Sequence, residues 1–286
     1  MIPDTMTGPD EARLFRLSAF TTTATGGNPA GVWIGPTLPA VAEMQRIAAE
    51  VGYSETAFVA PMHGLERTIR YYSPEIEVSF CGHATIATGV ALGDTTGDGT
   101  YQLSTSVGIV PVTVRSRGGR REAALTSVTT RFAPAAESLV SAAVSILGWT
   151  PGDLDRSLPP ARAFAGAWHL VLAVREASTL AALDYDFHAL KSLMLANDLT
   201  TLQLVWRETD EVFHSRNPFP VGGIVEDPAT GAAAAALGGY LRDAGLVRAP
   251  FSFRIRQGEA MGRPSQLAVD VPIAGGVVVS GAAVAI

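Results

Sequence analysis

The sequence predicts an α+β fold of two similar lobes, each a curved, mostly antiparallel sheet or barrel around a central helix. Three observations predict it. Short strand-like runs come in two series and do not alternate with helices as they would in a parallel βαβ protein. Each series is interrupted by one helix rich in small residues, at 83–92 and at 231–241. Helices that narrow can be wrapped closely by a curved sheet. Each is also preceded by a peptide that combines small residues with a titratable group, Phe80-Cys81-Gly82-His83-Ala84-Thr85 in one case and Glu226-Asp227-Pro228-Ala229-Thr230-Gly231 in the other.

Taken in order, the first dozen residues, with Pro, Gly, Asp and Thr, read as a loose tail. Residues 13–20 alternate apolar and polar side chains, as a strand does. Residues 21–31 are a loop rich in Thr and Gly, and 32–34 form an apolar strand. Pro39 opens a helix that gathers Val41, Met44, Ile47, Ala48 and Val51 on one face, and Gly52 ends it. Strands follow at 56–59, 67–72 and 76–78, then the helix 83–92, then strands at 101–103, 107–114 and 123–128. The basic cluster 115–121 is broken by Gly118 and Gly119 and reads as a hairpin turn.

A second series begins near Arg131. It has a helix at 135–147, a Pro- and Gly-rich bend at 150–160, a strand at 168–174, a helix at 187–196 and strands at 201–206 and 211–215. The Ala-rich helix 231–241 and closing strands at 251–257, 267–271 and 277–282 complete it. The lobes are therefore placed at 1–128 and 129–286, with the return of the last strand to the first lobe left open. Ala84-Thr85 and Ala229-Thr230 hold similar places in the two series, a weak internal symmetry.

Composition narrows the function. Apolar residues make up 47% and charged residues 17% of the 286 positions, so a sizeable core can be buried. A net charge of -6 with no basic stripe argues against nucleic-acid binding. No apolar stretch reaches the length of a membrane span, and residues 1–16 lack the basic start and apolar run of a secretory signal, so the cytoplasm is expected. Cys81 is the only cysteine, which excludes an internal disulfide. Lys191 is the only lysine, so Schiff-base chemistry would have to rest on it, and it reads instead as a surface-helix residue. No GxGxxG or GxxxxGK[ST] motif supports a nucleotide. His63, His169, His188 and His214 show no metal-ligand spacing; neither a metal nor an organic cofactor is expected.

The two peptides point to an enzyme site. Each stands at a helix start, where unpaired backbone N–H groups attract anions without a cationic side chain. A small acidic metabolite held between the two lobes is the expected partner.

The series TATGGNPAGV, SETAFV, FCGHATIATG, EDPATGAAAAALGGYL and RQGEAMGRPSQL resembles the PhzF-like phenazine biosynthesis family, which has the diaminopimelate epimerase-like fold. The match runs from the strand at Arg13 to the last strand. The resemblance implies a cofactor-free isomerase, with the glutamate of the SET motif, Glu55, moving a proton between substrate carbons. It implies that His83 of the GH motif and Asp227 of the DPATG motif bind and polarise the substrate, and that the chain pairs as a homodimer. The substrate-binding set is Asn28, Ser54, Gly82, Ala84, Thr85, Thr230, Gly231 and Ala232. Ala232 departs from the family pattern, in which a serine contacts the substrate carboxylate.

Each of these residues also has a structural reading. Glu55, taken alone, is a glutamate at a strand start. His83 suits a satisfied buried histidine, Asp227 a turn or helix cap, and Asn28 a turn. Cys81 reads first as a buried small hydrophobe, with a mixed Cys81/Glu55 racemase or epimerase pair left open. Two-thiol racemisation is excluded, because the second peptide carries no sulfur. The expected reaction is proton transfer within a small carboxylate-bearing metabolite, with Glu55 as general acid/base; one base suffices for isomerisation, whereas inversion usually needs two on opposite faces. The remaining alternative is a protein that binds a metabolite without catalysis.

Overall fold

The computed structural model describes residues 12–286, so all but the last residue of the expected N-terminal tail lies outside the described residues. The fold is α+β. The chain forms two compact units. Unit 1 takes the described residues through Ala19, then Pro29–Leu125 and Ala282–Ile286; unit 2 takes Phe20–Asn28 and Thr126–Gly281. The loop Phe20–Asn28 is tied into unit 2 by Gly27 N–H to the Pro264 carbonyl (3.1 Å) and Gln266 N–H to the Phe20 carbonyl (2.8 Å).

Unit 1 contains β1 (Arg13–Ala19), β2 (Asn28–Ile34), α1 (Val41–Val51), β3 (Glu55–Pro61), β4 (Glu66–Tyr72), β5 (Glu77–Val78), α2 (Gly82–Thr96), β6 (Gly99–Thr105), β7 (Gly108–Arg117) and β8 (Arg120–Thr126). α1 buries Met44, Ala48 and Val51 at helical spacing and stops at Gly52, whose left-handed φ of 69° only glycine adopts at little cost. The basic cluster is a hairpin turn, with Arg117 opposite Arg120 in the β7–β8 pair.

Unit 2 contains β9 (Arg131–Pro134), α3 (Glu137–Ile146), β10 (Ala161–Phe164), β11 (Trp168–Val174), α4 (Ala177–Ala181), α5 (Phe187–Ala196), β12 (Thr201–Thr209), β13 (Val212–Arg216), β14 (Pro218–Phe219), β15 (Ile224–Glu226), α6 (Gly231–Asp243), β16 (Phe251–Gln257), β17 (Ser265–Val271) and β18 (Val278–Ala285). Its sheet runs β18-β17-β16-β13-β12-β11-β10-β9, with β14 and β15 as a separate ribbon. In unit 1 the order is β1-β2-β3-β4-β6-β7-β8, and the end of β18 closes the ring by pairing with β1, Leu17 opposite Ala285.

Most pairings are antiparallel, and the exceptions recur in the same places. β2 and β3 are parallel, as are β4 and β6; in unit 2 the parallel pairs are β11–β12 and β13–β16. Parallel neighbours need a crossover. The crossovers for β4–β6 and β13–β16 are α2 and α6, the two small-residue helices.

Both helices are core. In α2 the stretch from His83 to Gly93 is buried without interruption, and in α6 the stretch from Ala233 to Leu241 is. Their composition follows from close wrapping. A Cβ on Gly89 would stand 2.7 Å from Ala123 Cβ and 2.8 Å from Val112 Cγ1, and one on Gly238 would stand 2.8 Å from Val271 Cγ2. A second layer in unit 2 packs α3 and α5 on the outer face of β11 and β12 through Leu139, Leu170, Leu190, Met194 and Leu204. Lys191 is half-buried on α5.

Several elements differ from the sequence expectation, among them α4, β14 and β15, which it does not include. β2 begins at Asn28, inside the expected loop. β9 and β10 are four-residue strands that register with each other, Ala161 opposite Pro134, in stretches flanking the expected helix and bend where no strand is expected. Four residues are too few to display strand alternation above Pro-rich noise. No helix among the described residues is long and apolar enough to cross a membrane.

Candidate active site

The predicted site residues fall into two groups, one in each unit. In unit 1, Glu55 is the first residue of β3 and follows Ser54; Cys81 holds an extended backbone (φ -142°) as the N-cap of α2, and His83 lies in its first turn. The helix start is fixed from below. Thr85 Oγ1 donates to the Cys81 carbonyl at 2.6 Å and accepts from the Tyr71 hydroxyl at 2.7 Å. Burial pushes the Tyr71 phenol far up, so it remains a protonated donor. Tyr71 on β4 thereby sets the position of Cys81 relative to the sheet.

Four polar side chains converge there. His83 Nε2 lies 3.4 Å from Glu55 Oε2, with the two side chains 8% and 19% exposed. The Cys81 thiol donates to the same Oε2 at 3.5 Å, and Ser54 Oγ stands 3.4 Å from His83 Nε2. Both partners of Glu55 therefore engage Oε2 and leave Oε1 unengaged by them. Cys81 is buried as the sequence suggests, but against a carboxylate and an imidazole and not in an apolar nest.

The Glu55, Cys81 and His83 donor atoms lie within 4.8 Å of one another, a span compatible with a metal ion. Their directions are not. Cys81 Sγ is 3.3 Å from His83 Nδ1 and 3.8 Å from Nε2. A sulfur almost equidistant from both nitrogens stands over the ring, whereas imidazole binds metals through an in-plane lone pair. The arrangement is a hydrogen-bonding cluster.

In unit 2, every polar group of Asp227 is held. Its Oδ1 accepts from Asn28 Nδ2 at 2.7 Å, and its Oδ2 accepts from the Thr230 hydroxyl at 2.6 Å. Its N–H donates to the Asn217 carbonyl at 3.0 Å, and its own carbonyl accepts from Gln257 Nε2 at 2.7 Å. Asn28 also donates to the Ala229 carbonyl at 3.2 Å, so its turn-shaping and site readings hold together. The Arg263 guanidinium donates to the Gly26 and Gly27 carbonyls, each at 2.7 Å, which fixes the loop carrying Asn28. Neighbouring Glu226 forms a buried ion pair with Arg216.

The helix starts offer fewer donors than the two peptides suggest. Thr85 N–H closes the first turn of α2 on the Cys81 carbonyl, and Thr230 N–H donates to Gln257 Oε1 at 3.2 Å. The N–H groups without intrahelical acceptors are those of Gly82, His83 and Ala84 in α2, and of Gly231, Ala232 and Ala233 in α6. Gly82, Ala84, Gly231 and Ala232 contribute backbone and the absence of bulk. Ala232 is half-buried.

Gln257, Tyr71 and Asn217 escaped the sequence reading. Gln257 alone had a signal: it precedes Gly258 within a recognisable motif, and Gly258 has φ 76° with its Cα so close to the Arg263 carbonyl that a Cβ would approach to 2.4 Å.

Comparison with known proteins gives a consistent result. Residues 17–286 match the PhzC-PhzF family model, described as phenazine biosynthesis-like protein. An uncharacterized isomerase, YfhB of Bacillus subtilis, is 30% identical over 273 residues, covering 93% of this chain and 92% of the relative. The trans-2,3-dihydro-3-hydroxyanthranilate isomerase of Pseudomonas fluorescens is 30% identical over 256 residues, covering 87% and 86%. In fold, the chain is similar to the PhzF-family phenazine biosynthesis protein of Bacillus anthracis, with a TM-score of 0.85, 24% identity and coverage of 96% and 97%. It also resembles a hydroxyproline epimerase of Agrobacterium vitis, with a TM-score of 0.67, 15% identity and coverage of 96% and 88%. With the family model spanning nearly the whole chain, this protein belongs to the phenazine biosynthesis-like PhzC-PhzF family.

Proposed function

We propose that this chain is a cofactor-independent isomerase that moves a proton within a small carboxylate-bearing metabolite, with Glu55 as the general acid/base. The observation that carries the reading is the convergence of Cys81 and His83 on one oxygen of Glu55. With Oε2 held, Oε1 is the oxygen assigned to take a proton from one substrate carbon and return it to another. His83 polarises the substrate from the first turn of α2, and the N–H groups of Gly82 and Ala84 stabilise the anion as it develops. Asp227 is assigned to a hydroxyl or amino group of a substrate, as the family resemblance implies. Relatives named as isomerases support the reaction class.

A racemase using Cys81 with Glu55 is disfavoured by the same contact. Two-base inversion needs its bases on opposite faces of one carbon, and here the thiol donates directly to the carboxylate at 3.5 Å, a separation too short to admit a carbon. A protein that only binds its ligand has no need of a carboxylate held by one oxygen in this way.

The test is proton NMR in deuterated water with a panel of small unsaturated, hydroxy and amino acids, led by trans-2,3-dihydro-3-hydroxyanthranilate, for the wild type and Glu55→Gln. The expected outcome is deuterium entering one compound with migration of its double bond, and a loss of about 10²–10⁴-fold in Glu55→Gln. Ligand binding without exchange in the wild type, or undiminished exchange in Glu55→Gln, would refute the reading.

A further inference from the structure

We propose that Gln257 is a positioning residue for this reaction: it fixes the order of hydrogen-bond donors around Thr230 so that Asp227 meets the substrate as an ionised, oriented carboxylate. The inference rests on the assignment of Asp227 to the substrate. Its physical basis lies in unit 2.

The Gln257 side chain is 2% exposed, and its amide has only one orientation that fits. Oε1 faces the Thr230 N–H at 3.2 Å, which can only donate, while Nε2 faces the Asp227 carbonyl at 2.7 Å, which can only accept. The NH₂ group therefore also donates to Thr230 Oγ1, 3.0 Å away. A hydroxyl has one proton. With Oγ1 accepting from Gln257, that proton is directed to Asp227 Oδ2 at 2.6 Å. Asn28 Nδ2 completes the set on Oδ1, where its other contact is also an acceptor, the Ala229 carbonyl.

The chain of donors thus runs one way, from Gln257 to Thr230 to Asp227, with Asn28 arriving from the other side. Both carboxylate oxygens accept, which matches the ionised form and disfavours a protonated one. Because the chain starts in an amide, which does not titrate, its direction is independent of pH. A helix cap alone would require only the Thr230 hydroxyl; the buried amide adds a fixed direction.

Gln257→Glu tests this with little change in shape. The new carboxyl keeps an acceptor for the Thr230 N–H but loses both donated bonds unless it is protonated. The expected result, on the panel compound that exchanges with the wild type, is a loss of about 10–100-fold in kcat/KM at neutral pH, from about 1.4–2.7 kcal/mol of lost alignment. Activity of the variant should recover as pH falls, because the protonated carboxyl is again a donor. Thr230→Ser should retain most activity and Thr230→Val should lose it. Combining Thr230→Val with Gln257→Glu should cost no more than the worse single change, since both break one chain.

Loss that is flat in pH, or losses that multiply in the double variant, would overturn the proposal and leave Gln257 as a structural support. If the wild type exchanges no compound, the functional reading fails separately. Amide hydrogen exchange then decides the proposal's structural basis: Thr230 N–H should lose protection in Gln257→Met and keep it in Gln257→Glu. Equal protection in both variants would overturn it.

Discussion

Replacing Thr85 with valine tests how the Glu55 cluster is held in place. Thr85 is 0% exposed and Tyr71 is 1% exposed, and the threonine hydroxyl accepts from the Tyr71 hydroxyl while donating to the Cys81 carbonyl. Valine matches threonine in shape, so Thr85→Val removes hydrogen bonds with little change in packing. The Cys81 carbonyl keeps the Thr85 N–H at 3.0 Å. The Tyr71 hydroxyl has no such reserve, and a buried, unsatisfied donor costs about 1–3 kcal/mol. For a chain of this size that corresponds to a fall in Tm of about 2–12 °C. The decisive variant is Tyr71→Phe combined with Thr85→Val. With both hydroxyls gone no orphan remains, so the double variant should be more stable than Thr85→Val alone. Urea denaturation of the wild type, the two single variants and the double variant would measure this. A double variant that loses the sum of the two single losses would refute the account.

Two further predictions concern stability. Gly89→Ala would place a Cβ against Ala123 and Val112, which belong to strands and cannot swing aside, and should cost about 1–3 kcal/mol in thermal or urea unfolding; a neutral result would mean α2 is less tightly wrapped than its geometry indicates. Burial holds the His169 imidazole down at about 3, against 6.5 ordinarily, so the unfolded chain takes up a proton that the folded chain refuses. Its contribution is complete above about pH 6.5 and declines as pH falls toward 3, by up to about 1.4 kcal/mol per pH unit. Urea melts at pH 7 and pH 5 should show a steeper acid loss in the wild type than in His169→Gln, and parallel losses would refute the assignment.

Much of the fold was legible because its periodicities are long enough to read. The helix at α1 carries five apolar residues on one face, and β11 and α5 fall on the residues that the pattern gives. The short strands β9 and β10 were not legible, because four residues carry too little alternation to separate from turn chemistry. A linear reading divides the chain near Val128, yet nothing in the composition of 20–28 announces that this loop lies with residues 126–281. Hydrogen bonds across more than two hundred residues, such as Arg263 to Gly26 and Gly27, help to tie it there. The candidate site divides along the same line. Glu55, His83 and Asp227 stand in motifs that resemble a family. Their direct contacts with Cys81, Asn28 and Thr230 follow from geometry. Gln257 and Tyr71 work through buried hydrogen bonds, whose direction no local pattern encodes.

The repeated topology explains why the proposed chemistry falls at two helix starts and why those starts differ. A parallel strand pair requires a crossover, and in each unit a crossover helix is the core element around which the sheet is wrapped. Its interior must therefore be small and apolar, which leaves the first turn and the residue before it as the places where polar groups can stand beside N–H donors without intrahelical acceptors. Both units meet this constraint, with Cys81-Gly82-His83 at α2 and Asp227 to Gly231 at α6. They fill it in opposite ways. At α2 the carboxylate comes from a neighbouring strand, and Cys81 and His83 both engage the same one of its oxygens, as suits the proposed proton-exchanging group. At α6 the carboxylate precedes the helix and is bonded at both oxygens, at its N–H and at its carbonyl, as a fixed charge requires. A proton shuttle needs an oxygen whose state can change, and an anchor needs one whose state cannot. The difference in hydrogen bonding between Glu55 and Asp227 is therefore the physical ground for assigning proton transfer to the first and orientation to the second.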